Sequence, residues 1–252
     1  MTILEATILG IIQGFTEFLP ISSSGHLVLG QAILGIEQPG NEFEILVHLG
    51  TLASVLVIFF DDIKSLILSL ASKKTQIFIM YILIGTLPAV GIGLGFKDLI
   101  YSLFENVTAV GGALIFTGVV LFGSSFANRQ DKDHSFLTCI LIGCAQAMAI
   151  IPGVSRSGMT ISAALFLGLS AKEAARFSFL LAIPAIGGAG LLTALDVSGG
   201  FQMPIPVALA GLTSSFAVGV VALKWLLGWL EQGKFHYFGI YCLAVGLITL
   251  VV

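Results

Sequence analysis

The sequence predicts an all-α integral membrane protein: six transmembrane helices plus two re-entrant helical hairpins in an inverted-topology repeat. Three observations lead there. Hydrophobic residues fill 57% of the 252 positions and charged residues only 10%, where an ordinary soluble domain carries roughly 25% charged residues. The apolar stretches are continuous runs near the length of a bilayer crossing, about 20 residues, and not short alternating strands, so helices are expected and not a barrel. Two of the runs are each interrupted midway by a polar motif rich in serine and glycine.

The first interrupted run covers 3–35, and its centre reads Gln13-Gly-Phe-Thr-Glu-Phe-Leu-Pro-Ile-Ser-Ser-Ser-Gly-His26. Gln13 and Glu17 are four apart and share a helix face. Pro20 then stops the helix, since it lacks an N–H and clashes with the preceding turn. Ser22, Ser23, Ser24 and Gly25 form a turn whose N–H groups can converge on an anion, and His26 falls in the first turn of the next helix. Each half of the run is too short to cross, so a re-entrant hairpin with the motif at its tip is expected. Spans follow at roughly 43–60, 77–96 and 107–126.

The second interrupted run, 136–169, holds Pro152-Gly-Val-Ser-Arg-Ser-Gly-Met-Thr160 and predicts the second hairpin. Arg156 is the lone cation of its apolar surroundings, which makes it a functional candidate by default. The remaining spans are expected at roughly 177–195, 205–230 and 236–252. Across this layout Lys64, Lys73, Lys74, Arg129, Lys132, Lys172, Arg176 and Lys234 fall on one side and Lys97 on the other. The positive-inside rule makes the first side cytoplasmic and puts both termini and the 36–42 loop outside.

The hairpins then enter from opposite faces. At a constant offset of 133 residues, Gly10, Gln13, Ser22, Ser24, Gly25 and Gly35 match Gly143, Gln146, Ser155, Ser157, Gly158 and Gly168. We therefore read 1–252 as a single membrane domain, with a first repeat over about 1–126 and a second over about 136–252. Inverted repeats whose broken helices meet near the midplane are a transporter-type architecture.

Joined, the two tips assemble Gln13, Glu17, Ser22, Ser23, Ser24, His26, Ser155, Arg156, Ser157 and Thr160. Arginine offers a planar fork to phosphate oxygens, and two Ser/Gly turns complete an oxyanion cradle. Glu17 would repel a phosphate, which argues for an oxygen-seeking divalent cation, Mg²⁺ or Ca²⁺, between the two. Ser23 or His26 could attack phosphorus, and His26 could instead move the proton. A net charge of −3 with no basic tail gives no footing for nucleic acid. No cleavable signal peptide is expected, because a basic n-region is missing.

Glu17 to His26 with Gln13, and Pro152 to Thr160, resemble the two signature motifs of the undecaprenyl-diphosphate phosphatase family of the bacitracin-resistance type. The similarity extends along nearly the whole chain, including Phe43-Glu44 and Phe177 to Pro184. The resemblance implies hydrolysis of a C55 polyprenyl diphosphate to the monophosphate, which recycles the lipid carrier of cell-wall synthesis. It implies a multi-pass protein of the bacterial plasma membrane with its site open to the outer face, and a homodimer is one expectation for its assembly. By motif position, Glu17, Ser23, His26 and Arg156 become the active-site residues. Ser22, Ser24, Gly25, Ser155, Ser157, Gly158 and Thr160 surround the substrate phosphates. The resemblance also implies Gln13 and Glu17 as the metal positions; Gln13 stands where the family has Glu or Gln, so one carboxylate is absent and the second protein ligand is left open. The competing reading is a transporter or flippase of a polyprenyl phosphate lipid. Glu44 and His48 share a helix face and could reach the site, but are read first as a membrane-boundary pair; Asp61, Asp62, Lys64 and the 128–134 run are read as solvated loop charges, and Cys139, Cys144 and Cys242 as small buried hydrophobes.

Overall fold

The computed structural model describes residues 1–36, 41–96, 99–100, 103, 106–127, 130–196 and 203–251. Lys97 and Arg129, used to orient the chain, and most of the 36–42 loop lie outside these residues. Among the described residues there are eleven α-helices and no strand. They are α1 (Ile3–Phe18), α2 (Ser23–Leu34), α3 (Asn41–Ile58), α4 (Phe60–Leu68), α5 (Lys73–Gly95), α6 (Val107–Gly123), α7 (Phe136–Met148), α8 (Arg156–Phe166), α9 (Ala171–Asp196), α10 (Ile205–Glu231) and α11 (Tyr237–Val251).

Four of them, α5, α6 with its 3₁₀ extension to Phe126, α9 and α10, are long and apolar enough to cross a membrane. A fifth crossing results if α3 and α4, bent by 68° at the break between them, count as one. The expected last span appears as α11, a shorter apolar helix of 15 residues. At 1.5 Å per residue it is about 22 Å long, less than the roughly 30 Å of bilayer hydrocarbon.

Hydrophobicity alone gives helices little reason to associate in lipid, so small residues that permit close packing carry the assembly. Helix α1 lies against α10 through Gly10 and Gly14, where a Cβ on Gly10 would come within 2.7 Å of the Gly211 carbonyl. Helix α7 lies against α5 the same way, with Gly143 pressed onto the backbone of Gly85. Helices α6 and α11 meet at two reciprocal glycine pairs, Gly111 with Gly246 and Gly118 with Gly239. A valine at position 143 should therefore push α7 off α5 and destabilise the protein by about 1–3 kcal/mol, the usual cost of overpacking. Gly112→Ala, which opens onto free space, is the control. Thermal unfolding midpoints in detergent check the pair, and equal midpoints would refute the close approach.

The largest apolar core joins the ends of α1 and α3 to α8, α9 and α10, with Phe18, Phe177, Phe179 and Phe235 fully buried. Two side chains expected in solvated loops are instead fixed. Asp62 of α4 accepts from Arg176 Nε at 2.6 Å, and His134 lies 3.3 Å from Glu173. Arg176 also sits over the Phe78 ring at 4.7 Å. Of the three cysteines, Cys139 and Cys242 are buried as expected, but Cys144 is exposed.

Candidate active site

Each motif makes a turn between two helices, α1–α2 and α7–α8. Leu19 is extended (φ −61°, ψ 138°), as steric conflict with a following proline demands. Ser22 then takes φ 69°, a left-handed conformation that costs a non-glycine residue energy and concentrates at functional sites. Its hydroxyl caps α2 by accepting from Gly25 N–H at 3.5 Å. In the second turn Gly153 supplies φ 92°. Ser155 caps α8 by accepting from Gly158 N–H at 3.1 Å. Capping satisfies N–H groups that a helix start leaves open. Ser22 and Ser24 hydroxyls lie 3.3 Å apart, as do those of Ser155 and Ser157.

The tips touch. A Cβ on Gly25 would lie 3.6 Å from Gly153 Cα, and one on Gly158 would lie 3.3 Å from Pro20 Cβ. Across this contact Arg156 Nη2 donates to Glu17 Oε1 at 2.6 Å. Glu17 Oε2 accepts from Ser23 Oγ at 2.7 Å and from Gln13 Nε2 at 3.0 Å. A carboxylate whose side chain is only 6% exposed needs that many partners, because an unpaired buried charge is costly. Arg156 opens α8, the wrong end of the helix dipole for a cation. Glu17 compensates it, and an arriving anion would do so further.

Spare bonding capacity remains. Arg156 Nη1 and Gln13 Oε1 are both buried without a partner among the described residues. The first is a donor suited to a phosphate oxygen, the second an acceptor suited to a cation. With two helix N-termini beside them, the half-buried Ser23, Ser24 and Arg156 form the reachable face of this polar cluster.

The other expected phosphate contacts have structural partners. Ser155 and Ser157 are almost fully buried, and Thr160 is fully buried. Thr160 donates to Arg156 O at 2.8 Å, and its hydroxyl meets Ser178 Oγ at 2.6 Å, which ties α8 to α9. Thr117 of α6 accepts from Ser155 N–H at 3.2 Å and lies 3.2 Å from Gly153 O, bracing the second turn. The sequence reading passed over Thr117, a lone hydroxyl in an apolar run.

His26 makes no hydrogen bond with Glu17, Ser23 or Arg156. Its Nδ1–H donates to Ser22 O at 2.8 Å, so Nε2 is the acceptor and takes the Tyr241 hydroxyl proton at 2.8 Å. The rings stack at 5.7 Å. This pair borders a cleft of about 520 Å³ lined by Phe15, Trp225, Trp229, Phe238 and aliphatic residues of α1. The imidazole beside Glu17 is His48, with Nε2 3.7 Å from Oε2. The boundary-pair reading of Glu44 and His48 gives way here: His48 Nδ1–H donates to the Glu44 backbone carbonyl at 2.7 Å, not to its carboxylate. The signal was available, for His48 stands seven residues inside α3, amid apolar neighbours.

The fold and site define a class: a multi-pass helical membrane protein with a buried polar cluster between two helix–turn–helix tips. The model of the family described as bacitracin resistance protein BacA matches residues 6–248. The undecaprenyl-diphosphatase of Desulforapulum autotrophicum is 39% identical over 274 residues, covering 100% of this chain and 98% of its own. The undecaprenyl-diphosphatases of Halothermothrix orenii and Korarchaeum cryptofilum are each 41% identical, over 256 and 262 residues. Coverage is 100% of this chain and 98% of the relative in the first case, and 99% of both in the second. The chain belongs to the bacitracin resistance protein BacA family.

Proposed function

We propose that the protein hydrolyses undecaprenyl diphosphate to undecaprenyl phosphate and inorganic phosphate, recycling the lipid carrier for cell-wall synthesis. The observation that carries the reading is the contact between motifs 139 residues apart in sequence, Arg156 with Glu17, on which the Ser23 hydroxyl also rests. A lipid-phosphate carrier or flippase needs the guanidinium. It gains nothing from a hydroxyl seated on a carboxylate.

In this reading the diphosphate takes the free edge of Arg156 and the hydroxyls and N–H groups of Ser23 and Ser24. Ser155, Ser157, Gly158 and Thr160 hold the second tip in place. Ser23 Oγ attacks the terminal phosphorus while the bond to the bridging oxygen breaks, and undecaprenyl phosphate leaves. Glu17 receives the Ser23 proton; water then attacks the phosphoserine, and Glu17 returns the proton to Ser23 Oγ as the Oγ–P bond breaks, restoring both hydroxyl and carboxylate. His26, with both nitrogens engaged, stands with Tyr241 at the aromatic cleft, a surface suited to the prenyl chain near the headgroup. Gln13 Oε1 and Glu17 Oε2 are the atoms suited to a divalent cation, Mg²⁺ or Ca²⁺. Such an ion would neutralise phosphate charge, as oxygen-seeking cations do when held by one carboxylate and substrate phosphates.

We further read the fold as six crossings with α1–α2 and α7–α8 as re-entrant hairpins, in two repeats over about 1–126 and 136–252. Exchanging α1, α2, α3, α5 and α6 for α7, α8, α9, α10 and α11 supports this. The α1–α10 packing then becomes α7–α5, α3–α10 becomes α9–α5, and α3–α9 and α6–α11 each map onto themselves. The positive charges orient the chain with both termini outside; the family resemblance leads us to place it in the plasma membrane with the site open to the outer face, and a homodimer is one candidate for its assembly.

The test is phosphate release from a long-chain polyprenyl diphosphate by purified protein in detergent. EDTA should abolish it and Mg²⁺ or Ca²⁺ restore it, and right-side-out vesicles should hydrolyse substrate supplied from outside. A protein that releases no phosphate with metal present would overturn the reading, and full activity under chelation would remove the cation from it.

A further inference from the structure

We propose that His48 Nε2 is a third protein ligand of the divalent cation at Glu17, so that the donor set is Gln13 Oε1, Glu17 Oε2 and His48 Nε2. The inference rests on the cation reading above and adds a nitrogen donor from α3, an element outside both motifs.

Four observations converge. The Nδ1–H of His48 donates to the Glu44 carbonyl at 2.7 Å, so the lone pair of the neutral ring lies on Nε2. Metal-binding histidines are typically oriented by that same bond from the other ring nitrogen to a backbone carbonyl. His48 Nε2 and Glu17 Oε2 are 3.7 Å apart, a separation that one cation with bonds of about 2.0–2.6 Å can bridge. Gln13 Oε1 is a buried acceptor with no partner among the described residues, and it is carried by the amide whose Nε2 donates to Oε2 at 3.0 Å.

The competing account is a protonated His48 paired directly with Glu17. Charge-assisted N–H···O contacts close to about 2.7–2.9 Å, and Arg156 on the same carboxylate reaches 2.6 Å. At 3.7 Å the imidazole is too far to make that bond. Its side chain is 33% exposed, which leaves an entry path for an ion. An imidazole donor also changes selectivity, shifting the site from all-oxygen Ca²⁺ preference toward Mn²⁺ and later divalent metals.

The test uses tag-free protein in detergent and Mn²⁺ alone. Electron spin echo envelope modulation of bound Mn²⁺ should show directly coordinated imidazole ¹⁴N in the wild type. His48→Gln should lose that modulation and bind Mn²⁺ on the order of tenfold more weakly, the scale at which metal sites respond to loss of a supporting group. Modulation absent from wild type, or persisting in His48→Gln, overturns the proposal. Phosphate release with Mg²⁺, measured in parallel, separates the readings. Turnover without ¹⁴N coupling removes His48 alone. Turnover with no Glu17-dependent Mn²⁺ binding removes the cation as well and leaves the phosphatase standing.

Discussion

Glu17→Ala should lose both turnover and stability. Deleting the carboxylate strands the Arg156 guanidinium, whose side chain is only 15% exposed. Breaking a buried pair from one side costs about 3–5 kcal/mol, because the remaining charge is left uncompensated. The same substitution frees Ser23 Oγ from its 2.7 Å acceptor, so the nucleophile is no longer held toward phosphorus. Losing one preorganised group of this kind costs about 10²- to 10³-fold in rate. A double variant separates the effects. Glu17→Leu with Arg156→Met replaces the pair by apolar side chains, which is often neutral for stability, and should recover the unfolding midpoint without recovering phosphate release. The measurements are thermal unfolding in detergent and steady-state phosphate release. A Glu17→Ala protein that turns over at the wild-type rate would show that the carboxylate is structural.

The two turns were legible because polar residues in an apolar chain must answer to something. Pro20, the serine runs and Arg156 marked both tips from composition and spacing alone, and the 133-residue offset paired them. Side-chain phase across a turn was not legible. Ser22 at φ 69° rotates α2 so that His26, four residues from Ser22, faces Tyr241 and not Glu17. No sequence spacing encodes that rotation, since a serine carries no mark of left-handed backbone. His48 was marked by its place inside an apolar run, but its partner was not. Its pairing with Glu17 depends on how α3 packs beside α1, a tertiary contact between residues 31 apart. The glycine pairs of α6 and α11 were likewise invisible among 30 glycines. Only packing distinguishes Gly118, which meets Gly239, from Gly112, which meets nothing.

Arg156→Lys should impair hydrolysis about 10²-fold or more while keeping the positive charge. The guanidinium serves two masters at once. Nη2 holds Glu17 at 2.6 Å, and buried Nη1 remains free for a phosphate oxygen. Lysine can approach one of these acceptors as a point charge but cannot present a planar fork to both. Charge on the phosphoryl oxygens is redistributed as the P–O bond breaks, so the loss should fall more heavily on turnover than on binding of the diphosphate lipid. A carrier makes a different forecast: Arg156 variants weaken binding, and wild type releases no phosphate at all. Equilibrium binding of the diphosphate lipid, measured beside phosphate release for wild type and Arg156→Lys, therefore distinguishes the two. Wild-type protein that binds the lipid in the presence of divalent metal and never cleaves it would replace hydrolysis with carriage.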